Sequence, residues 1–168
     1  MEQKLDNKIP VKETIISFFD KNKLKIVFSI IIILISTITL IIIKESKKRE
    51  NILISEKYIK AGLLLSKNEN EKAKNYYEEI VLSENKFYSL LALNTLIEKD
   101  LINDKEKITN YFAKLENSNF SKDLTDLILI KKALYLIKIK DDKLGQNILK
   151  KLVEGGSNLK FLAQDLIN

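Results

Sequence analysis

Residues 26–43 read IVFSIIIILISTITLIII and contain no charged side chain. As an α-helix this run is about 27 Å long, at roughly 1.5 Å per residue, which is close to the thickness of the hydrocarbon core of a bilayer. Its polar members are Ser29, Ser36, Thr37 and Thr39, whose hydroxyl groups can bond to carbonyl groups of the preceding helical turn. The run therefore predicts a single transmembrane helix.

The residues around this run favour an uncleaved anchor over a signal peptide. A 25-residue segment precedes it, and Lys44-Glu45-Ser46-Lys47 follows it without a small-residue cleavage motif. Five lysines flank the run on the N-terminal side and six basic residues flank it on the other. This near tie leaves the orientation open and leans by one charge to a cytoplasmic C-terminal part.

The segment before the run allows two interpretations. Pro10 suits the first turn of a helix, and Ile15, Ile16, Phe18 and Phe19 would then form an apolar face. Such a helix would lie at the membrane interface. A short linker with a few apolar residues is the alternative.

Composition excludes several chemistries. The 168 residues include no His and no Cys, so imidazole bases, thiolate nucleophiles, disulfides and His- or Cys-ligated metals are impossible. No nucleotide-binding or calcium-loop motif is present. The acidic pairs Glu78-Glu79 and Asp141-Asp142 leave a carboxylate-based hydrolase as an alternative, but neighbours in a helix point about 100° apart. The sequence predicts a protein that is not an enzyme, with no cofactor and no metal.

The basic residues do not favour a nucleic-acid partner. Arg49 is the only arginine among 29 basic residues, and the lysines alternate with Glu and Asp along the predicted helices. Nucleic-acid-binding proteins favour clustered basic residues and arginine for base contacts. Three adjacent aromatic pairs, Tyr76-Tyr77, Phe87-Tyr88 and Tyr111-Phe112, are instead expected to place one ring in the core and leave the other partly exposed.

Helical periodicity with short polar breaks fills the rest of the chain. It follows a charged linker at 44–50, and it predicts an all-α domain at 51–168 with helices at 51–67, 69–83, 86–99, 104–116, 121–140, 142–153 and 158–167. The fifth of these is apolar on most sides, but its charges at Asp126, Lys131, Lys132 and Lys138 would be costly in lipid. We therefore expect it to be a central helix covered by its neighbours.

Two of the predicted helix pairs repeat each other. Ala61, Leu64, Ala73 and Tyr77 are spaced like four residues that follow 72 positions later, namely Ala133, Leu136, Gly145 and Leu149. A small residue on each helix lets the two axes approach closely. The offset is about twice the tetratricopeptide period, so the pattern predicts a tetratricopeptide-like α-solenoid of about three helix pairs. An ordinary helical bundle is the alternative.

The order of these parts resembles the ancillary subunit of the Sec translocon and its relatives, which are single-pass inner-membrane proteins with a tetratricopeptide-like periplasmic domain. The similar residues are Phe18-Phe19 and Asn22 before the apolar run, Ser55, Tyr58 and Ala61 after it, and Phe87-Tyr88-Ser89-Leu90-Leu91-Ala92. The resemblance covers about residues 12–116. It implies a cytoplasmic N-terminal segment at 1–25, a periplasmic repeat domain, and protein partners such as the translocon, a periplasmic chaperone or a translocating client.

A binding groove is expected where the first helix of each pair lines one face of the array. Spacing from Ala61 and Ala133 selects Tyr58, Gly62 and Leu65 in the first pair and Ile130, Leu134 and Ile137 in the third. The equivalent residues of the second pair, which matches the small-residue spacing poorly, are Tyr88, Leu91 and Thr95. For the third set, the favoured interpretation is core beneath the last helix. The leading hypothesis is thus a non-enzymatic, membrane-anchored scaffold in the bacterial inner membrane. The alternative is a membrane adaptor or regulator that faces the cytoplasm.

Overall fold

The computed structural model describes residues 11–167, which contain seven α-helices and no strand. The expected all-α class is confirmed, with 81% of the chain helical. The chain divides into two compact units, Met1–Arg49 and Glu50–Asn168. Pro10 and the rest of residues 1–10, which belong to the expected N-terminal segment, lie outside the described residues.

Helix α1 (Val11–Ser66) contains the apolar run. In the part of the chain that the structure describes, α1 is the one helix long and apolar enough to cross a membrane, and its apolar window buries none of its residues. The hydroxyl groups of Ser29, Thr37 and Thr39 donate to carbonyl groups one turn earlier, at 2.8–2.9 Å. These polar side chains are therefore satisfied without water. Residues 44–50, expected as a charged linker, are helical too.

Six shorter helices complete the second unit: α2 (Asn70–Leu82), α3 (Tyr88–Glu98), α4 (Lys105–Glu116), α5 (Lys122–Lys138), α6 (Asp142–Glu154) and α7 (Lys160–Asp165). Each lies where the sequence predicts a helix, and each end is within two residues of the predicted one.

The apolar core of the second unit has two clusters that meet on α5. The first cluster joins the last turns of α1 to α2–α5 and includes the fully buried Phe112, Leu93 and Ile80. The second cluster joins α5, α6 and α7, and its buried members are Ile130, Ala133, Leu149, Leu152 and Ala163. Helix α5 thus has the central position that its apolar composition indicates.

One buried polar contact accompanies the second cluster. Asp126 is only 6% exposed, and the Ser157 hydroxyl donates a 2.6 Å hydrogen bond to its Oδ2. Ser157 Oγ in turn accepts the backbone N–H of Leu159. Because a buried carboxylate without a partner is costly, this contact fixes α5 against the turn that follows α6.

The residues of the repeated pattern lie inside the helix pairs. Seven of the eight are buried and Leu64 is half-buried; the buried ones are Ala61, Ala73, Tyr77, Ala133, Leu136, Gly145 and Leu149. At Gly145 a Cβ atom would lie 2.7 Å from the carbonyl oxygen of Ala133, so α5 and α6 approach as closely as a side-chain-free position allows.

The turns follow the same 72-residue offset. Asn68 (φ 60°) and Lys140 (φ 66°) adopt the left-handed conformation after the first helix of each pair, and Glu84 (φ 53°) and Gly156 (φ 65°) adopt it after the second. A left-handed residue two positions past the last helical one is a common way to end a helix. The two helix pairs therefore share the geometry of their turns as well as their pattern of small residues.

Candidate partner-binding surface

Four aromatic rings form a continuous series from the core to the surface. Tyr77 is 2% exposed, and its ring centroid lies 5.4 Å from that of Tyr58. Tyr58 lies 5.5 Å from Tyr88, and Tyr88 lies 4.9 Å from Phe87, whose side chain is 66% exposed. These spacings suit edge-to-face and tilted aromatic contacts. We refer to Tyr77, Tyr58, Tyr88 and Phe87 as the aromatic ladder.

A hydrogen bond locks the middle of the aromatic ladder. The hydroxyl groups of Tyr58 and Thr95 are 3.2 Å apart, and the Thr95 hydroxyl donates to the Leu91 carbonyl group at 3.0 Å. Because threonine has one hydroxyl proton, Tyr58 is the donor in the first bond. The hydroxyl of Tyr58 is therefore held by α3, and its ring has a fixed orientation between α2 and α3.

Burial changes the ionisation of Tyr77, the innermost residue of the aromatic ladder. Removal from water raises the pKa of the Tyr77 hydroxyl, and the neighbouring Tyr58 raises it further. Tyr77 therefore remains neutral well into the alkaline range, and the inner end of the ladder behaves as an apolar core group.

The turn before α3 holds the backbone of Phe87 in place. Asn85 Oδ1 accepts the backbone N–H groups of both Phe87 and Tyr88 at 3.0 Å, which caps the start of α3. The side-chain amide of Asn85 also donates to Asn51 Oδ1 at 2.6 Å, which ties the turn to α1. Phe87 is thus the residue just before α3, held by its backbone while its ring remains in solvent.

The structure brings together the groove residues predicted in the first two helix pairs. Tyr58 contacts both Tyr88 and Thr95, as described, and Leu91 is 36% exposed one turn after Phe87. Gly62 and Leu65 are half-buried, and Leu65 packs against the first cluster. The exposed part of this region is therefore Phe87 and Leu91, with Tyr88 at its inner edge.

The residues predicted in the third pair lie elsewhere. Ile130 is 2% exposed and Ile137 packs against the second cluster, so both belong to the core and not to an open groove. The physical reason is the close approach at Gly145, where a Cβ atom would lie 2.6 Å from Ile137 Cγ1. Helix α6 therefore covers this side of α5, and only Leu134, at 37% exposure, remains open.

Phe87 is the functional candidate that spacing arguments miss. The predicted groove residues of the second pair are Tyr88, Leu91 and Thr95, and Phe87 is not among them although the predicted helix at 86–99 contains it; in the structure Phe87 precedes α3. The adjacent aromatic pair Phe87-Tyr88 was the available signal, because one ring of such a pair is expected to be exposed. For the pair Tyr111-Phe112 that expectation is wrong, since both rings, which belong to α4, are buried.

The acidic pairs do not converge. Glu78 is paired with Lys107 of α4 at 2.5 Å, and Glu79 is paired with Lys57 of α1. Asp141 precedes α6 without a side-chain capping bond, and Asp142 is exposed. Within residues 11–167, no cluster of three or more acidic side chains is placed to hold a metal ion.

A cleft of about 340 Å³ lies between α5 and α6 and is lined in part by Lys122, Asp126, Leu129 and Lys151. Two of its acidic side chains already have partners, because Glu116 forms an ion pair with Lys132 at 2.8 Å and Asp126 accepts a hydrogen bond from Ser157. The aromatic ladder, which ends on an exposed ring, is therefore the stronger candidate for recognition of a partner.

No family model, no curated protein and no solved structure matches the chain.

Proposed function

We propose that this chain is a non-enzymatic, membrane-anchored scaffold for other proteins. In this proposal α1 crosses the membrane through residues 26–43, and Glu50–Asn168 is a tetratricopeptide-like array of about three helix pairs. The observation that carries the proposal is the aromatic ladder, since it places a 66% exposed Phe87 on a row of rings anchored in the core. The membrane part is supported by the apolar window of α1, in which no residue is buried.

The chemistry of the ladder fits an apolar segment of a protein partner. Large aromatic side chains that are already ordered lose little conformational freedom on binding, and they are enriched among the residues that dominate interface energies. Phe87 is ordered by Tyr88 and by the Asn85 cap, and Leu91 extends the apolar surface by one helical turn. An amphipathic or extended segment with one or two apolar anchors would cover both side chains.

A more specific form of the proposal places the second unit in the periplasm, beside the Sec translocon. Its support is the order of parts along the chain and the segment Phe87-Tyr88-Ser89-Leu90-Leu91-Ala92, which now includes the exposed end of the ladder. Periplasmic chaperones or translocating clients would then be the partners.

A cytoplasmic-facing adaptor is the second candidate. The observation that favours it is the concentration of Lys44, Lys47, Lys48 and Arg49 directly after the apolar run. Basic residues next to a membrane span are retained on the cytoplasmic side. Both candidates use the same ladder and differ in the compartment that supplies the partner.

Reporter fusions after Asn168 separate the two. Alkaline phosphatase, which is active only after export, is expected to be active if the second unit is periplasmic, whereas a green fluorescent protein fusion would then be dark. The reverse result assigns the second unit to the cytoplasm and removes the translocon form of the proposal.

Site-specific photo-crosslinking tests the ladder in the full chain. A photoreactive phenylalanine analogue at position 87 is expected to form covalent adducts with another protein in cells. The matched control is position 161, because Phe161 is 71% exposed but belongs to α7 and not to the ladder. Equal or absent adducts at the two positions would contradict the assigned surface.

A further inference from the structure

Three lysines share one face of α1 directly after the apolar run. Residues 44–49 contain four basic residues and one acidic residue, and all six are exposed. Lys47 and Lys48 follow Lys44 by three and four positions, which places them on the same side of a helix. We refer to Lys44, Lys47 and Lys48 as the lysine face.

No acidic side chain neutralises the lysine face. Glu45 lies three positions before Lys48 and four before Arg49, and its ion pair is with Arg49, whose Nε is 3.4 Å from Glu45 Oε1. Among residues 11–167, no ion pair includes Lys44, Lys47 or Lys48. Like charges three and four positions apart repel each other, so an external anion on this face would relieve the repulsion.

The depth of the lysine face matches the phosphate layer of a bilayer. With a rise of about 1.5 Å per residue, these lysines begin within about 2 Å of Ile43 and end about 8 Å from it. The polar layer on each side of the hydrocarbon core is roughly 5–8 Å thick. The flexible lysine stems let each ammonium group follow phosphates at slightly different depths.

The other end of the apolar run lacks this arrangement. Lys21 and Lys25 are four positions apart, but Lys23 lies about 200° from Lys21, on the opposite side of the helix. Only the C-terminal end therefore presents three ammonium groups on a single face.

We propose that the lysine face binds the phosphate groups of anionic phospholipids in the leaflet that contacts residue 44. This inference rests on the proposed membrane crossing of α1. Basic residues beside a membrane attract anionic lipid with a strength that adds with each charge and falls off within a Debye length. A leaflet enriched in anionic lipid around α1 would be the result.

Native mass spectrometry of the full chain tests the inference. The chain is reconstituted in vesicles of phosphatidylcholine with a minority of phosphatidylglycerol, released in mild detergent, and analysed for the lipids that it retains. We expect retained phosphatidylglycerol to exceed its share in the vesicles. The variant with Lys44→Gln, Lys47→Gln and Lys48→Gln is expected to lose about tenfold in the ratio of retained anionic to neutral lipid.

A matched variant tests whether the enrichment in anionic lipid requires three lysines on one helix face or only the net charge. Lys21→Gln, Lys23→Gln and Lys25→Gln remove the same charge at the other end of the apolar run, and this variant is expected to keep most of the enrichment. An equal loss in both triple variants, or no enrichment in the parent chain, would overturn the inference. Displacement of the lipid by millimolar inorganic phosphate would also overturn it, because the face would then prefer the free ion.

Failure of this inference can be told from failure of the proposed function. If an alkaline carbonate wash strips the chain from the vesicles, the membrane crossing is wrong and both proposals fall. If the chain resists the wash but retains lipid in the bulk ratio, only the lipid inference falls.

Discussion

At the scale of single residues, two glycines in helices have opposite surroundings. A Cβ atom at Gly145 would lie 2.7 Å from the Ala133 carbonyl oxygen and 2.6 Å from Ile137 Cγ1. Backbone oxygen cannot move aside as a flexible side chain can. At Gly62 the nearest atom would be the Tyr77 hydroxyl oxygen at 3.7 Å, which is an ordinary contact.

The same substitution is therefore expected to have opposite effects at the two positions. Gly145→Ala should force α5 and α6 apart and lower the free energy of unfolding by about 1–3 kcal/mol. Gly62→Ala should raise it by roughly 0.5–1 kcal/mol, because alanine favours the helix and no atom needs to move. Urea unfolding of the full chain in detergent, followed by circular dichroism, measures both. Equal shifts of the same sign would contradict the close approach at Gly145.

At the scale of the elements, two turns allow a test of backbone conformation without changes in packing. Lys140 has φ 66° and Gly156 has φ 65°, and no atom lies within 4 Å of a Cβ atom placed on Gly156. A side chain in the left-handed region costs about 1–2 kcal/mol relative to glycine. Lys140→Gly should therefore stabilise the fold by about 1 kcal/mol, and Gly156→Ala should destabilise it by a similar amount.

A control separates conformation from the loss of a lysine. Lys150→Gly lies within α6 and should destabilise by about 1 kcal/mol. The melting temperature of each variant is compared with that of the parent chain. If Lys140→Gly lowered the melting temperature as much as Lys150→Gly, the left-handed conformation assigned to Lys140 would be wrong.

The positions of the helices could be predicted from the sequence. The backbone conformation of the turns and the burial of individual helix residues could not. Apolar periodicity and the Gly155-Gly156 pair locate α6 to within one residue. The left-handed backbone conformation of Lys140 and Glu84 could not be predicted, because neither residue type prefers positive φ. Tertiary packing imposes that conformation on them. Ile130 was selected for a groove and is buried, since burial depends on the neighbouring helix that covers it.

The candidate site could be predicted only in part. Spacing from Ala61 predicts Tyr58 in the groove, and Tyr88 and Thr95 are predicted as equivalents in the second pair; in the structure Tyr58 contacts both. The backbone of Phe87, whose ring is exposed, is held by hydrogen bonds to Asn85 at the start of α3. That capping geometry involves the turn and α1 together, so it is set by contacts that are distant in sequence.

At the scale of the whole molecule, three buried tyrosines make stability depend on alkaline pH. Burial is the main cause of the raised pKa of Tyr77, Tyr111 and Tyr135, and nearby Tyr58, Glu78 and Asp104 add to the respective shifts. In the unfolded chain these hydroxyl groups ionise near the ordinary value of about 10. The folded state therefore holds their protons more tightly, so its stability is fully present below that value and is lost as pH rises through the folded pKa values.

The expected result is a lower urea midpoint at about pH 11 than at about pH 9. Tyr135→Phe, which removes one of the three groups, should flatten this dependence. Tyrosinate absorbance and helicity are recorded on the same samples, and both should change together. Ionisation of all the tyrosines before any loss of helicity would contradict the burial of these hydroxyl groups.

The meeting of the two core clusters on α5 also constrains the order in which the chain can fold during synthesis. The ring of Tyr135 covers Phe112, with 5.9 Å between their centroids, so a nascent chain cannot close the first cluster before α5 has emerged. A chain released after Ser121 should be degraded quickly by added protease. One released after Lys140 should resist digestion in α2–α4, because it keeps every buried member of the first cluster, although it lacks α6, α7 and the Ser157 partner of Asp126.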